Sequence, residues 1–181
     1  MSYQRQNHPY QAEMKIKDNK QLIIENNIKG GLFSKGQLKL QDLINQIKLN
    51  PENSNSGAII TFTGITRNSS RLNDKKVDKI IIEAWAEQAE QSLHKIAMEV
   101  QNKHKLIDIR LYHGTGEFLI GEEMVLIVVS SDHRESGLQA IEELIHKYKT
   151  LTPIWKKEIY SDGSSEWISG RDYNPAKKIR S

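Results

Sequence analysis

The segment S-S-D-H-R-E-S-G-L-Q-A-I-E-E-L-I-H-K-Y-K-T-L-T-P-I-W-K-K-E, at 130–158, spaces its cations in a way that chemistry could use. His133 and Arg134 stand near the start of a predicted helix and Lys149 near its end. Lys156 and Glu158 lie on a strand beyond Pro153. Amines and guanidinium groups bind anions, and a lysine of suitable pKa moves protons. At roughly 100° per residue, Leu138, Ile141, Leu144, Ile145 and Tyr148 share one helix face, with Arg134 near its middle and Lys149 about 75° from its centre. A cation on a buried face is costly without a partner. The ordinary explanations are a snorkelling lysine and an arginine paired at the helix end. An arginine at a helix N-terminus also opposes the macrodipole; a bound anion reconciles the two, because the free N–H groups and the guanidinium then point at one charge. Strand alternation puts Lys156 and Glu158 on one face, as a solvated surface pair or as a lysine held beside a reaction centre. Arg67 follows a strand in T-G-I-T-R-N, a loop position that suits a site or a solubilising charge.

The elements that must position these residues read as follows. Asp132 with Glu135 three residues on resembles a capping box, so Asp132 is the expected N-cap, and Pro153 prevents the helix from continuing. Residues 57–64, G-A-I-I-T-F-T-G, predict a strand buried on both faces. A polar loop with Arg67, Arg71, Lys75 and Lys76 leads to a strand at 79–85. Ala86, Ala89, Leu93, Ile96, Ala97 and Val100 form the inner stripe of a second helix. Ile107, Ile109 and Leu111 alternate with polar neighbours, which predicts a half-buried strand. Residues 113–121 read as a connection, and the apolar run at 123–130 as a central strand. After the site segment, Asp162-Gly163 marks a hairpin turn into a strand at 166–169. Upstream, residues 1–20 read as a mobile polar extension and 21–25 as a short edge strand. Gly30, Gly31 and Gly36 mark a loop, and a helix is expected near 37–48. Residues 171–181 form a basic tail. One domain over 21–170 results, of the α+β class, with helices packed on a mixed or antiparallel sheet.

Composition narrows the function. The 181 residues hold 26 basic and 23 acidic side chains, a net charge of +3 that does not by itself argue for nucleic acid. There is no cysteine, so any sulfur chemistry must use sulfur brought by a partner. Of the six histidines, His94, His104, His113 and His146 lack metal-ligand spacing with one another, and no dinucleotide, Walker or nucleophile-elbow motif is present. No cofactor is therefore expected. The longest apolar run, 124–129, is too short to cross a membrane. The N-terminal ten residues contain no apolar signal core, so a cytoplasmic location is expected. The competing reading is an RNA- or phosphate-binding domain using the basic loop and tail. That loop carries no aromatic residue on which a base could stack.

Five separate motifs bring in a resemblance. They are G-A-I-I-T-F-T-G-I-T-R-N at 57–68, I-E-A-W-A-E-Q-A at 82–89, G-E-F-L-I-G-E at 116–122, S-S-D-H-R at 130–134 and Y-K-T-L-T-P-I-W-K-K-E at 148–158. In order and spacing the chain, from about Leu22 to Arg171, resembles the large catalytic subunit of molybdopterin synthase. The resemblance implies a fold with an α/β hammerhead portion. It implies a sulfurtransferase that inserts the dithiolene sulfurs into cyclic pyranopterin monophosphate, making molybdopterin for the molybdenum cofactor. Sulfur would arrive as a thiocarboxylate on the C-terminal glycine of a small ubiquitin-like subunit. Two large subunits would form a homodimer at the centre of a heterotetramer. By the same resemblance, Lys149 and Lys156 match the two essential lysines. Arg67, His133 and Arg134 match ligands of the substrate's anionic groups, His133 and Arg134 reaching the neighbouring subunit's site. Phe62, Glu158 and Arg171 match further pocket positions. Lys149 is assigned to the thiocarboxylate and acid–base work, Lys156 to the pterin, and the two roles are exchangeable. A non-catalytic homologue that only binds the small subunit is the second alternative. The chain departs from the family's pattern at Ser69-Ser70, Gly114 and Asp132.

Overall fold

The computed structural model describes residues 28–168. The expected extension at 1–20, the strand at 21–25, Arg171 and the basic tail lie outside the described residues. Seven strands and three α-helices are present among those described: β1 (Gly30–Ser34), α1 (Leu40–Leu49), β2 (Ala58–Ile65), β3 (Val77–Ala84), α2 (Ala86–His104), β4 (Asp108–Leu119), β5 (Glu123–Ser131), α3 (Arg134–Leu151), β6 (Ile154–Tyr160) and β7 (Ser165–Ile168). The sheet order is β2-β5-β4-β3-β6-β7. β1 lies parallel to β4 and the other pairings are antiparallel, so the sheet is mixed, as expected.

β4 links two halves of the molecule. Residues 108–113 pair with β5, while 116–119 pair with β3. In the first half, α2 and α3 cover one sheet face, packing Leu93, Val100, Ile141 and Leu144 on Ile109, Leu111, Ile127 and Val129. α1 covers the opposite face with Leu43 and Ile47 against Tyr112, Leu126 and Val128. β5 is thus enclosed on both sides, which explains its near-continuous apolar run. The second half is an antiparallel arm of β3, β6, β7 and the end of β4, with Val77, Ile80, Ile82, Phe118 and Tyr160 as its own small core. No helix among the described residues is long and apolar enough to cross a membrane.

Four expectations change. The connection at 113–121 is largely strand, because β4 runs on through Leu119. Gly114 answers packing, since a Cβ there would come within 2.4 Å of the Phe118 ring, whereas Gly116 and Gly121 supply positive φ, at 101° and 85°. Gly30 and Gly31 belong to β1, whose pairing with distant β4 leaves no local signal. β2 is an edge strand, only partly buried because it pairs with β5 alone. Residues 108–112 are buried throughout, since α1 and Lys29 cover the face that looked exposed.

Candidate active site

Lys149 is placed by the way α3 meets the sheet. The buried line of α3 runs through Gly137, Ala140, Ile141, Leu144 and Tyr148. A Cβ at Gly137 would stand 2.6 Å from Ile60 Cδ1 and 2.8 Å from Ser131 Oγ, so any larger residue would have to displace those side chains for the helix to lie this close to β2. At the other end, the buried Tyr148 ring meets His113 edge-on, with centroids 5.6 Å apart. Lys149 follows, its Nζ 6.0 Å from the centroid of that tyrosine ring. Burial lowers the amine's pKa, and the charges of Arg71, Lys156 and Arg67 lower it further. The side chain still meets solvent, so its desolvation is partial. Three like charges are what distinguish it from an ordinary snorkelling lysine.

Lys156 and Glu158 do pair, with Nζ 3.1 Å from Oε1. This is no solvated surface pair, because the Glu158 side chain is 3% exposed. β6 sets it there, running antiparallel to β3 with Lys156 opposite Ile82 and Glu158 opposite Ile80. Arg67 leaves the end of β2. Its Nε donates to the Ser69 carbonyl at 2.8 Å. Exchange between Thr66 and the 121–122 turn pins the loop base, Thr66 N donating to the Glu122 carbonyl and Gly121 N to the Thr66 carbonyl. Phe62 sits half-buried on β2, opposite Ile127 of β5 and packed against the main core.

The structure therefore groups Arg67, Lys149, Lys156 and Glu158. It leaves His133 and Arg134 at the opposite end of α3, about 20 Å from Lys149 at 1.5 Å per residue. Two details there differ from expectation. His133, not Asp132, is the N-cap; Asp132 accepts from the His133 amide at 2.8 Å and forms no capping box. Arg134 does not face the core: its side chain is 80% exposed and lies beside Glu135 at 3.1 Å. The helical stripe that contains it runs out of sheet in the first turn, where β2 begins and β5 ends. Leu138, also expected inside, is 56% exposed.

Two residues join the site that spacing did not single out. Arg71 read as one cation of a polar loop; the fold carries that loop to Lys149. His113 is buried, and its Nδ1, 2.9 Å from the Gly114 carbonyl, donates to it as the neutral ring. Burial pushes its pKa down to about 4, opposed by that hydrogen bond and reinforced by Lys149. Neither left a signal in sequence beyond residue type, because both approaches are tertiary.

Fold and site together define an α+β protein that gathers amines and guanidinium ions into one cluster, with a carboxylate holding one of them. Residues 33–151 match the family model described as MoaE protein. The molybdopterin synthase catalytic subunit of Aspergillus niger is 37% identical over 125 residues, covering 69% of this chain and 68% of that protein. The crystal structure of molybdopterin synthase from Staphylococcus aureus superimposes with a TM-score of 0.66 at 30% identity, over 76% of this chain and 95% of that one. A complex of subunits 1 and 2 of molybdopterin-converting factor from Helicobacter pylori shares the fold, with a TM-score of 0.57 at 20% identity over 81% of this chain and 90% of that one. The chain belongs to the MoaE protein family, and it is an enzyme subunit of molybdopterin synthesis.

Proposed function

We propose that this chain transfers sulfur from the C-terminal thiocarboxylate of a small ubiquitin-like subunit to cyclic pyranopterin monophosphate, at the cluster around Lys149. The observation that carries the reading is the convergence of Arg71, Lys156 and Arg67 on the Lys149 amine. Their charges lower the Lys149 pKa, and an anion bound beside them would stabilise the ammonium. The substrate phosphate and the thiocarboxylate are both anions, and each needs cationic neighbours. The absence of cysteine fits, since the sulfur comes with the partner. The Helicobacter pylori complex of two subunits supports the existence of such a partner.

In this reading the lowered pKa suits Lys149 to proton exchange as the thiocarboxylate carbonyl is attacked and released. Each sulfur delivered leaves the carrier terminus as a carboxylate, its new oxygen coming from water. Lys156, held by Glu158, steadies charge developing on the pterin. Arg67 binds substrate anions, Phe62 forms an apolar wall, and Arg171 is assigned to the pocket by the resemblance alone. His133 and Arg134 are too far along α3 to serve their own Lys149, and their exposure leaves them able to reach a second protomer in a homodimer.

The test combines the full chain, a thiocarboxylated small subunit and cyclic pyranopterin monophosphate, and measures molybdopterin. Product is expected; none, with the small subunit shown to be bound, overturns the reading. Mixing Arg134→Ala with Lys149→Ala protomers tests the shared site. Activity should return in mixed dimers, and its absence would count against a cross-subunit arginine.

A further inference from the structure

Behind Lys156 lies a junction that the proposed reaction does not use. β6 and β7 pair so that Glu158 stands directly opposite Glu166. Two carboxylates facing each other across a strand pair repel. Tyr160, on the same face of β6 as Glu158, occupies the space between them. Its hydroxyl lies 3.2 Å from Glu166 Oε2 and 3.4 Å from Glu158 Oε2. Asn73, from the loop that carries Arg67 and Arg71, uses its amide nitrogen on both Tyr160 Oη, at 3.2 Å, and Glu166 Oε2, at 3.1 Å. Lys75 of the same loop sits over the Tyr160 ring, 5.1 Å from its centroid, and pairs with Asp162 at 2.9 Å. Tyr160 and Glu158 are both nearly inaccessible, at 3% and 2% exposure, whereas Glu166 is exposed.

Proton counting gives this junction a direction. The two N–H bonds of the Asn73 amide supply Tyr160 and Glu166. The carboxylates only accept. The phenol has one proton and two carboxylates to choose between. At rest Glu158 has the Lys156 ammonium, and the shorter phenol contact goes to Glu166. When Lys156 turns to an anionic substrate or gives up a proton, Glu158 becomes a buried carboxylate without its cation, a costly state. Rotating the phenol O–H onto Glu158 relieves it, and Glu166 keeps solvent and Asn73.

We propose that Tyr160 is a positioning residue for Lys156, its hydroxyl moving between Glu166 and Glu158 as Lys156 engages and leaves its carboxylate. Through Asn73 the same hydroxyl ties the arginine-bearing loop to that pair. The inference rests on the role proposed above for Lys156, but its test does not require turnover.

The test follows the Lys156 amine by NMR in the full chain with 13C-labelled lysine, the signal assigned with Lys156→Arg. In Tyr160→Phe no phenol can relieve Glu158 once the ammonium is lost, so Lys156 gives up its proton less readily. The Lys156 titration should move up by about half a pH unit, the scale of one hydrogen bond. In Glu166→Gln the phenol is freed for Glu158, and the titration should move down. Opposite shifts support the proposal; curves that coincide with the parent, or shifts of one sign, overturn it. In the product assay, Tyr160→Phe should lower kcat about tenfold and shift the basic limb of its pH profile upward, with KM for the pterin less affected. An unchanged profile shape would reduce Tyr160 to a strut. If the parent makes no product, the proposed function fails and the titrations still decide this point.

Discussion

Two of the charge clusters among the described residues are built in opposite ways. Around Asp108 a carboxylate stands at the centre. Lys29 reaches Oδ1 at 2.6 Å, Asn50 reaches Oδ2 at 3.1 Å, the Ile109 amide donates at 2.7 Å, and the Arg110 guanidinium closes the ring. Asp108 is wholly buried, and its pKa is lowered because these donors outweigh the cost of burial. Around Lys149 an amine stands at the centre, with Arg71, Lys156 and Arg67 about it. The first cluster satisfies its central charge from within the chain and ties β1, β4 and the end of α1 together. The second sets like charges side by side, with Glu158 holding only one of them, Lys156. The two clusters thus differ in the sign at the centre: one surrounds a carboxylate with donors, the other surrounds an amine with cations.

The largest effect comes from removing the centre of the second cluster. Lys149→Ala should cost at least about a hundredfold in molybdopterin formation, the scale of losing an acid–base group. Small-subunit binding and the unfolding midpoint should be nearly unchanged. A variant that turns over at the parental rate would dissolve the contrast, because Lys149 would then be only an edge lysine of α3. Removing the centre of the first cluster should do the reverse. Asp108→Asn leaves Lys29 and Arg110 buried without their carboxylate, a loss of about 3–5 kcal/mol. The readout is denaturant unfolding, with activity per folded molecule retained. If Asp108→Asn instead lost activity at full stability, the Asp108 cluster could not be called structural.

His113 lies between the two kinds. It is buried like Asp108, yet it feels the charge of Lys149. Its folded pKa is about 4, below the ~6.5 of a free histidine. Between those values the unfolded chain binds a proton here and the folded chain does not. Stability from this residue is therefore complete above about pH 6.5 and is lost as pH falls toward 4, on the order of 3 kcal/mol across the window. His113→Gln removes the titration while an amide can still donate to Gly114. Its unfolding free energy should fall less than the parent's between pH 7 and pH 4.5, and parallel curves would show that His113 does not carry the dependence.

The same contrast explains what the sequence made legible. Lys149, Lys156 and Glu158 lie on one helix and the strand after it, so period and alternation brought them close before any fold was known. The order of elements after residue 57 pointed to the α+β class and a mixed or antiparallel sheet, but not to its two halves, which the pairing of β4 with both β5 and β3 creates. Arg134 was misplaced because a helical wheel gives direction but not whether anything lies there. Asp108 read as the polar side of a half-buried strand, since the covering α1 and Lys29 come from far earlier in the chain. Arg71 and His113 reach the site through loop path and strand pairing, which local periodicity does not encode.

Arg71 gives the smallest expected effect and the finest test of the contrast. It lies on an exposed loop, and its influence on Lys149 acts through charge. Arg71→Ala removes one of three positive neighbours, so the Lys149 pKa should rise and the basic limb of the pH–rate profile should move to higher pH. KM for the anionic pterin should rise about threefold to tenfold, with kcat at its optimum pH little changed. Raising the salt concentration should narrow the gap between variant and parent, because an exposed charge is screened. Arg71→Lys keeps the charge and should restore the pH profile while recovering KM only in part, since an ammonium does not fork onto a phosphate. If Arg71→Lys behaves like Arg71→Ala in its pH profile, shape rather than charge is what the loop contributes, and the cluster around Lys149 would shrink to Arg67 and Lys156.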